Sequence, residues 1–496
     1  MTVAEPIVET TLGTIRGRER GGVEQYLGIR FAQPPVGDLR FRAPQPVEPW
    51  DGVYDATRLG PCAPQTERAP GGPLPERTVV WDEDCLFLNV YTPAADDRRR
   101  PVLFWIHGGA FVRGAGANTD GTSFAMRGDL VVVTVNYRLG ALGFMELGHL
   151  DAALAGSQNN GIRDQLLALN WVHDHIAAFG GDPDRVTICG NSAGAGSVLA
   201  LLATPAADHL FHQAVTQSAP AVMDTADPTL AERMLRELGG RGLEDLRAAD
   251  PERILEAQEV VSNGTGERRV VLPSRSRGGF RAAVDAHTVT RQPAEAVARP
   301  GAGKPLLLGT NADEGPLFSF ALPRDITDDE MHAAVGEHTG DPAGVIAAYA
   351  AANPGVDNRR LMVDMLGDRL FLLPSLEVAD AQARAGEAPV FTYLFTWKSE
   401  GFDGFMGAMH ALEIPFVWNL GLQAWAAVVG GADPGDLAQR MHTAWIAFVR
   451  TGDPNHAGLP HWPAYDTDRR PTMEFGSASV ILDDPNAGTR TGWESM

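Results

Sequence analysis

Residues 185–202 read RVTICGNSAGAGSVLALL. A short β-branched run, Arg185 to Cys189, gives way to a turn of small residues and then to a helix-forming stretch, Ala195 to Leu202. Ser192 sits at the centre of the turn, with Gly190 and Gly194 two residues away on either side. In such a G-x-S-x-G turn the serine is held in a strained backbone conformation with its Oγ exposed. Larger side chains at the flanking glycines would collide with the neighbouring strand and helix. The following helix directs its N-terminal amides and the positive end of its dipole at the turn. In a chain with 55 glycines the five-letter string alone is weak. The strand before it and the helix after it give it weight.

Outward from this turn, β-rich apolar runs alternate with helical patterns, the signature of a parallel sheet with crossover helices. Strands are expected at Pro101 to Ile106, Leu130 to Val135, Ala214 to Gln217, Pro305 to Gly309 and Val390 to Phe395. Ile162 to Phe179 has helical periodicity, with Leu166, Leu167, Trp171, Val172 and Ile176 on one broad stripe. Gly180-Gly181-Asp182-Pro183 marks its end. Leu437 to Arg450 reads as a long helix, and Leu230 to Val260 as charged helical material inserted over the sheet. Ala69 to Pro75 and Asn263 to Gly279 read as loops. There is no internal repeat and no clear linker. The expectation is therefore an α/β protein with a mostly parallel central sheet flanked by helices. It would form one domain over residues 1–496, with helical insertions at roughly 220–300 and 325–385.

His107-Gly108-Gly109-Ala110-Phe111 follows directly on an apolar strand. Consecutive small residues let backbone N–H groups approach a developing oxyanion that bulky side chains would block. Two donors from this loop, with the N–H of Ala193, would hold a tetrahedral intermediate. Glycine-rich turn and small-residue loop together point to acyl-transfer chemistry by a serine. On this architecture the chain order is serine, acid, histidine. Asp313 and Glu314 are the acid candidates that the family resemblance given below implies. Of the thirteen histidines, His332, His338, His410, His442, His456 and His461 follow them; order alone does not choose among these.

Charge and composition narrow the partners. A net charge of −22 without a Lys/Arg stripe excludes nucleic acid as a ligand. It could steer cationic substrates, but solubility is the simpler account. Met1 to Thr10 has no basic n-region, apolar h-region or cleavage site, and no run reaches the roughly 18 apolar residues of a membrane span. A soluble, cytoplasmic protein is expected, with secretion requiring that a signal had been removed. Three cysteines, Cys62, Cys85 and Cys189, do not make a disulfide framework. Asn263-Gly264-Thr265 is read as a chance glycosylation sequon. His173 and His175 stand two apart on a helix and so face different ways; with His209 and His212 they are read as solvated surface. No metal or organic cofactor is implied.

The chain resembles the type-B carboxylesterases, the family of carboxylesterases, cholinesterases and bacterial para-nitrobenzyl esterases, which have the α/β-hydrolase fold. The likeness is carried by Gly28 to Pro44 (GIRFAQPPVGDLRFRAP), Glu83 to Val90 (EDCLFLNV), Asn136 to Gly140 (NYRLG), Asp164-Gln165, Phe179 to Pro183, Gln217-Ser218, Gly309 to Gly315 (GTNADEG) and Thr451 to Asn455 (TGDPN). The HGGAF form of the small-residue loop is closest to the bacterial members. The resemblance implies a serine ester hydrolase with Ser192 as nucleophile, Glu314 of the DEG tripeptide as acid and His410 of the GAMHALE segment as base. It implies Gly109, Ala110 and Ala193 as oxyanion donors, with Gly108 shaping the turn. Ser218 would support the acid by a hydrogen bond. Cys62 and Cys85 match a disulfide of secreted relatives, and in a reducing cytoplasm they would stay thiols.

One departure matters. Most relatives carry glutamate just before the nucleophile, where this chain has Asn191. Losing that charge weakens support for cationic substrates and for the imidazolium, so neutral aryl or alkyl esters are expected. The same triad could serve amide, carbamate or thioester cleavage, and a non-catalytic binding relative would have lost triad residues that this chain keeps. Trp81, Phe111, Phe416 and Trp418 are candidates for aromatic pocket lining or for core. Physiological substrate and oligomeric state, monomer or homodimer, stay open.

Overall fold

The β-branched and aromatic runs form an eleven-stranded sheet among the described residues. The structure is a computed structural model and describes residues 5–66, 80–263, 270, 272, 279–431 and 433–494. In chain order the strands are β1 (Arg18–Arg20), β2 (Val23–Arg30), β3 (Phe87–Thr92), β4 (Arg100–Ile106), β5 (Val131–Val135), β6 (Gly181–Asn191), β7 (Gln213–Gln217), β8 (Leu306–Asn311), β9 (Val390–Phe395), β10 (Pro471–Phe475) and β11 (Ser479–Asp483). Their spatial order is β11-β10-β9-β8-β7-β6-β4-β5-β3-β2-β1. From β5 across to β10 every neighbour is parallel, and the pairs at both edges are antiparallel. Strands β4, β5, β8 and β9 are buried at every position, as a parallel sheet covered on both faces requires. β6 is longer than the sequence pattern suggests, because Gly181 still pairs with Arg100 before the register shifts at Val102.

Flanking helices are α1 (Asn160–His175), α2 (Ala193–Leu202), α3 (Thr229–Leu238), α4 (Leu243–Ala248), α5 (Pro251–Asn263), α6 (Asp328–Gly336), α7 (Pro342–Ala352), α8 (Asn358–Gly367), α9 (Leu373–Ala385) and α10 (Leu437–Thr451). Along α1 the buried stripe includes Ile162, Leu169, Trp171 and Val172, whereas Leu166 and Leu167 are only half-buried. Asp164 and Gln165 are buried in their stead because each has a partner. Asp164 accepts from Arg138 Nη2 and Nε, one edge of its guanidinium (2.6 and 2.9 Å), and from its backbone N–H (2.9 Å). Gln165 donates to Ser197 on α2 (3.0 Å). Removing one member of a buried ion pair of this kind costs about 3–5 kcal/mol.

Register brings the functional segments together. Ile106 pairs with Gly190, Asn191 with Gln217, and Gln217 with Gly309. The loops after β4, β6, β7 and β8 therefore leave the same carboxyl edge side by side, where open parallel sheets place their sites. Among the described residues no helix is long and apolar enough to cross a membrane. Cys62, Cys85 and Cys189 are buried free thiols. The loop expected at 69–75, most of that at 263–279, and Gly264 and Thr265 of the sequon lie outside the described residues.

Candidate active site

Ser192 has φ 56° and ψ −124°, a conformation costing a non-glycine residue about 1–3 kcal/mol. The surrounding packing enforces it. A Cβ on Gly190 would stand 2.4 Å from the Gly194 backbone, and one on Gly194 would stand 2.1 Å from the Ile106 carbonyl oxygen. Neither position accepts a side chain. The Ser192 amide donates to the carbonyl of Gln217 at the end of β7 (2.8 Å), which fixes the turn against its neighbour. Ala193 begins α2, so its N–H is among the amides that an α-helix leaves without an internal partner.

The loop after β4 packs directly on this turn. A Cβ on Gly108 would lie 2.7 Å from the Asn191 carbonyl oxygen and 3.1 Å from Ser192 Cβ. Gly109, Ala110 and Phe111 then follow with φ of 123°, 55° and 62°, a run of left-handed backbone that only a constrained functional loop sustains. His107 is a structural member of the loop. Its ring stacks on Tyr137 (4.4 Å between centroids), whose hydroxyl donates to the His107 carbonyl (2.8 Å). Burial lowers its pKa to about 4, so it stays neutral.

Glu314 and His410 meet across the loops after β8 and β9. Glu314 Oε1 accepts from Ser218 Oγ (2.5 Å) and from the Asn311 amide (2.7 Å). Its Oε2 accepts from His410 Nδ1 (2.5 Å). With the Glu314 carboxyl on Nδ1, Nδ1 is the donating ring nitrogen and Nε2 is the one left for another partner. Nε2 is buried without a hydrogen-bond partner among the described residues. Asp313 turns the other way, to the Arg360 guanidinium and the Ala408 amide (2.9 Å). Of the later histidines, His410 is the one on Glu314. His442 is engaged with the Val417 carbonyl (2.7 Å), and burial lowers its pKa to about 4.

Two aromatic rings wall the histidine, and sequence reasoning missed both. Phe371 stacks on the imidazole (4.5 Å, 27°) and Phe318 meets it edge-on (5.1 Å, 63°). Phe318 stands one turn after Glu314. Phe371 rides on a π-helical turn, Asp368–Leu372, between α8 and α9, a type of irregularity frequent at functional sites. The sequence candidates for aromatic lining lie elsewhere. Phe416 and Trp418 are wholly buried, with Trp418 packed on Trp105 (4.9 Å) and Phe124 (4.8 Å). Phe111 packs on Phe144 (4.9 Å), and Trp81 is half-buried beside Cys62. Two histidine readings are corrected: His212 is half-buried, its Nδ1 accepting from the Val186 amide (3.2 Å). His175 is buried against Trp171 (5.2 Å), not solvated, because the apolar face of α1 continues through it. Among the described residues no three His, Cys, Asp or Glu side chains converge as a metal site.

A model of the carboxylesterase family matches residues 4–488. The chain belongs to the carboxylesterase family. Phenmedipham hydrolase of Pseudarthrobacter oxydans is 38% identical over 96% of both chains. Para-nitrobenzyl esterase of Bacillus subtilis is 37% identical over 98% of this chain and 97% of its own. The crystal structure of a Geobacillus stearothermophilus carboxylesterase at pH 6.2 superposes with a TM-score of 0.86 at 38% identity, covering 98% of this chain and 99% of its own. The large, mostly parallel sheet with flanking helices is the α/β-hydrolase fold, and this carboxylesterase is an ester hydrolase.

Proposed function

We propose that this carboxylesterase cleaves neutral aryl or alkyl carboxylic esters through an acyl-enzyme on Ser192. The observation that carries the reading is the Ser218–Glu314–His410 chain of short hydrogen bonds, which leaves His410 Nε2 as the base at the carboxyl edge that also holds Ser192. His410 Nε2 takes the Ser192 proton while Oγ bonds to the ester carbonyl carbon. The carbonyl oxygen becomes an oxyanion received by the N–H groups of Gly109, Ala110 and Ala193. Glu314 remains ionised and stabilises the imidazolium through Nδ1. Collapse breaks the carbon–oxygen bond to the alcohol, which leaves with the proton from Nε2. Water then gives its proton to Nε2 and its oxygen to the acyl carbon. Ser192 Oγ departs and takes that proton back.

Neutral substrates are favoured by Asn191 beside the nucleophile and by the rings of Phe318 and Phe371 around the base. The relative named for para-nitrobenzyl esters supports an ester substrate. A cytoplasmic setting is part of the proposal, and there Cys62, Cys85 and Cys189 would remain thiols. The test is para-nitrophenyl butyrate hydrolysis by the wild type and by Ser192→Ala. Loss of the nucleophile should lower kcat by about 10⁴–10⁶-fold; equal activity in the two would refute the assignment.

A further inference from the structure

Glu413 follows His410 by three residues and is fully buried. Its Oε1 accepts from Asn191 Nδ2 (2.7 Å) and Gln217 Nε2 (2.9 Å), and its Oε2 from Asn311 Nδ2 (2.8 Å). A second partner fixes the orientation of each amide. Asn191 Nδ2 also donates to the Gln217 carbonyl (3.3 Å), and Asn311 Nδ2 to the Met409 carbonyl (2.6 Å). Gln217 Oε1 is occupied by the Trp445 indole N–H (3.2 Å). The three groups that reach the Glu413 carboxyl are therefore all N–H donors. A carboxylic acid needs an acceptor for its proton, whereas three donors suit a carboxylate.

We propose that Glu413 is an ionised positioning residue that supplies, behind His410, the negative charge that Asn191 does not. The proposal rests on the assignment of Ser192, His410 and Glu314 above. Geometrically, Glu413 ties together the residue before the nucleophile, the residue before Ser218, and the end of the strand that leads to Glu314. Electrostatically, its charge favours the imidazolium that forms as Ser192 attacks, and it reinforces Glu314 as an acceptor. The titratable groups facing it are Glu314, His410, Cys189 and Tyr393. Burial keeps the Cys189 thiol and the Tyr393 hydroxyl protonated, so the charges in play are those of Glu314, Glu413 and the imidazolium. Burial, with Glu314 adding to it, raises the Glu413 pKa, and the Asn311 and Gln217 donors oppose that rise. A carboxylate at position 191 would face Glu413 directly, and the pair would have to share a proton. Asn191 avoids this by donating.

The test is the pH profile of kcat/KM for para-nitrophenyl butyrate, measured for wild type, Glu413→Gln, Asn191→Asp and Ser192→Ala, with melting temperatures recorded for each. Removing a negative charge near the imidazolium makes it give up its proton more readily. Glu413→Gln should therefore move the acid limb to lower pH by about 0.5–1, whatever happens to the plateau. Asn191→Asp places a second carboxyl on Glu413; because the pair shares one proton, the net charge near His410 is unchanged and the limb should stay near its wild-type pH. A Glu413→Gln limb that stays at the wild-type pH, with only a uniform loss of rate, overturns the proposal. If Glu413→Gln does not fold, an Asn191→Asp limb moved to higher pH by about 1, as a new charge beside a neutral Glu413 would give, overturns it alone. Residual activity in Ser192→Ala would instead overturn the triad assignment beneath it.

Discussion

Gly108→Ala adds one carbon where the proposed oxyanion loop packs on the turn that bears Ser192. That Cβ would stand 2.7 Å from the Asn191 carbonyl oxygen, 3.1 Å from Ser192 Cβ and 3.3 Å from Asn191 Oδ1. None of these atoms yields easily. Asn191 pairs with Gln217 at the end of β6, the Ser192 amide is tied to the Gln217 carbonyl, and the Asn191 amide is held by Glu413. The loop bearing Gly109 and Ala110 moves instead, by about half an ångström to one ångström if ordinary van der Waals distances are to be restored. A donor placed near 2.9 Å is no longer a hydrogen bond at about 3.6 Å. Losing one oxyanion donor costs about 2.7–4 kcal/mol, or about 10²–10³ in kcat. Steady-state hydrolysis of para-nitrophenyl butyrate measures this, with thermal denaturation confirming the fold. A Gly108→Ala enzyme within about threefold of wild-type kcat at an unchanged melting temperature would refute this account of the loop.

Ser218→Ala removes one of the two donors to Glu314 Oε1 and leaves the Asn311 amide in place. A hydrogen bond to a charged group contributes about 1.5–3 kcal/mol, so kcat should fall by about ten- to a hundredfold with KM little changed; an unaltered kcat would contradict the supporting role. Asp368 offers a stability test. Burial, with Asp364 nearby, raises its pKa to about 7 against the Tyr349 hydrogen bond (2.7 Å). A raised folded-state value means that stability present below about pH 4 is lost as pH rises through about 7. Asp368→Asn, neutral throughout, should gain about 1–3 kcal/mol at pH 8 and little at pH 4, read from denaturant midpoints at the two pH values. An equal effect at both would show that Asp368 is not held protonated.

Much of the site's frame was legible because local signals carry it. The β4 and β6 runs, the glycines at 190 and 194 and the small residues after His107 each state a steric requirement that a one-dimensional reading detects. The contacts reaching His410 from afar were not legible. Phe371 lies far along the chain from Ser192, on a π-helical turn with no local signature, and reaches His410 through the packing of α8 and α9. Phe416 and Trp418 follow His410 closely, and the sequence leaves them equally open as pocket aromatics or core. Ala411 instead turns the backbone at φ 70°, and both rings bury under the sheet. His175 shows a related limit. Its spacing from His173 separates the two faces of α1 but does not say which face meets Trp171 and the core. Asn191 looked like a simple loss of charge. Glu413 becomes visible as its counterpart only when the ends of β6, β7 and β8 converge.

A serine that forms an acyl-enzyme also takes a phosphonyl group from a fluorophosphonate, so labelling reads out Ser192 as nucleophile. The enzyme would be incubated with a fluorophosphonate, its intact mass measured, and the modified peptide sequenced by tandem mass spectrometry. A single adduct on Ser192, accompanied by loss of activity and absent from Ser192→Ala, is the predicted result. An active enzyme that takes up no label, or carries it on another residue, would contradict the account.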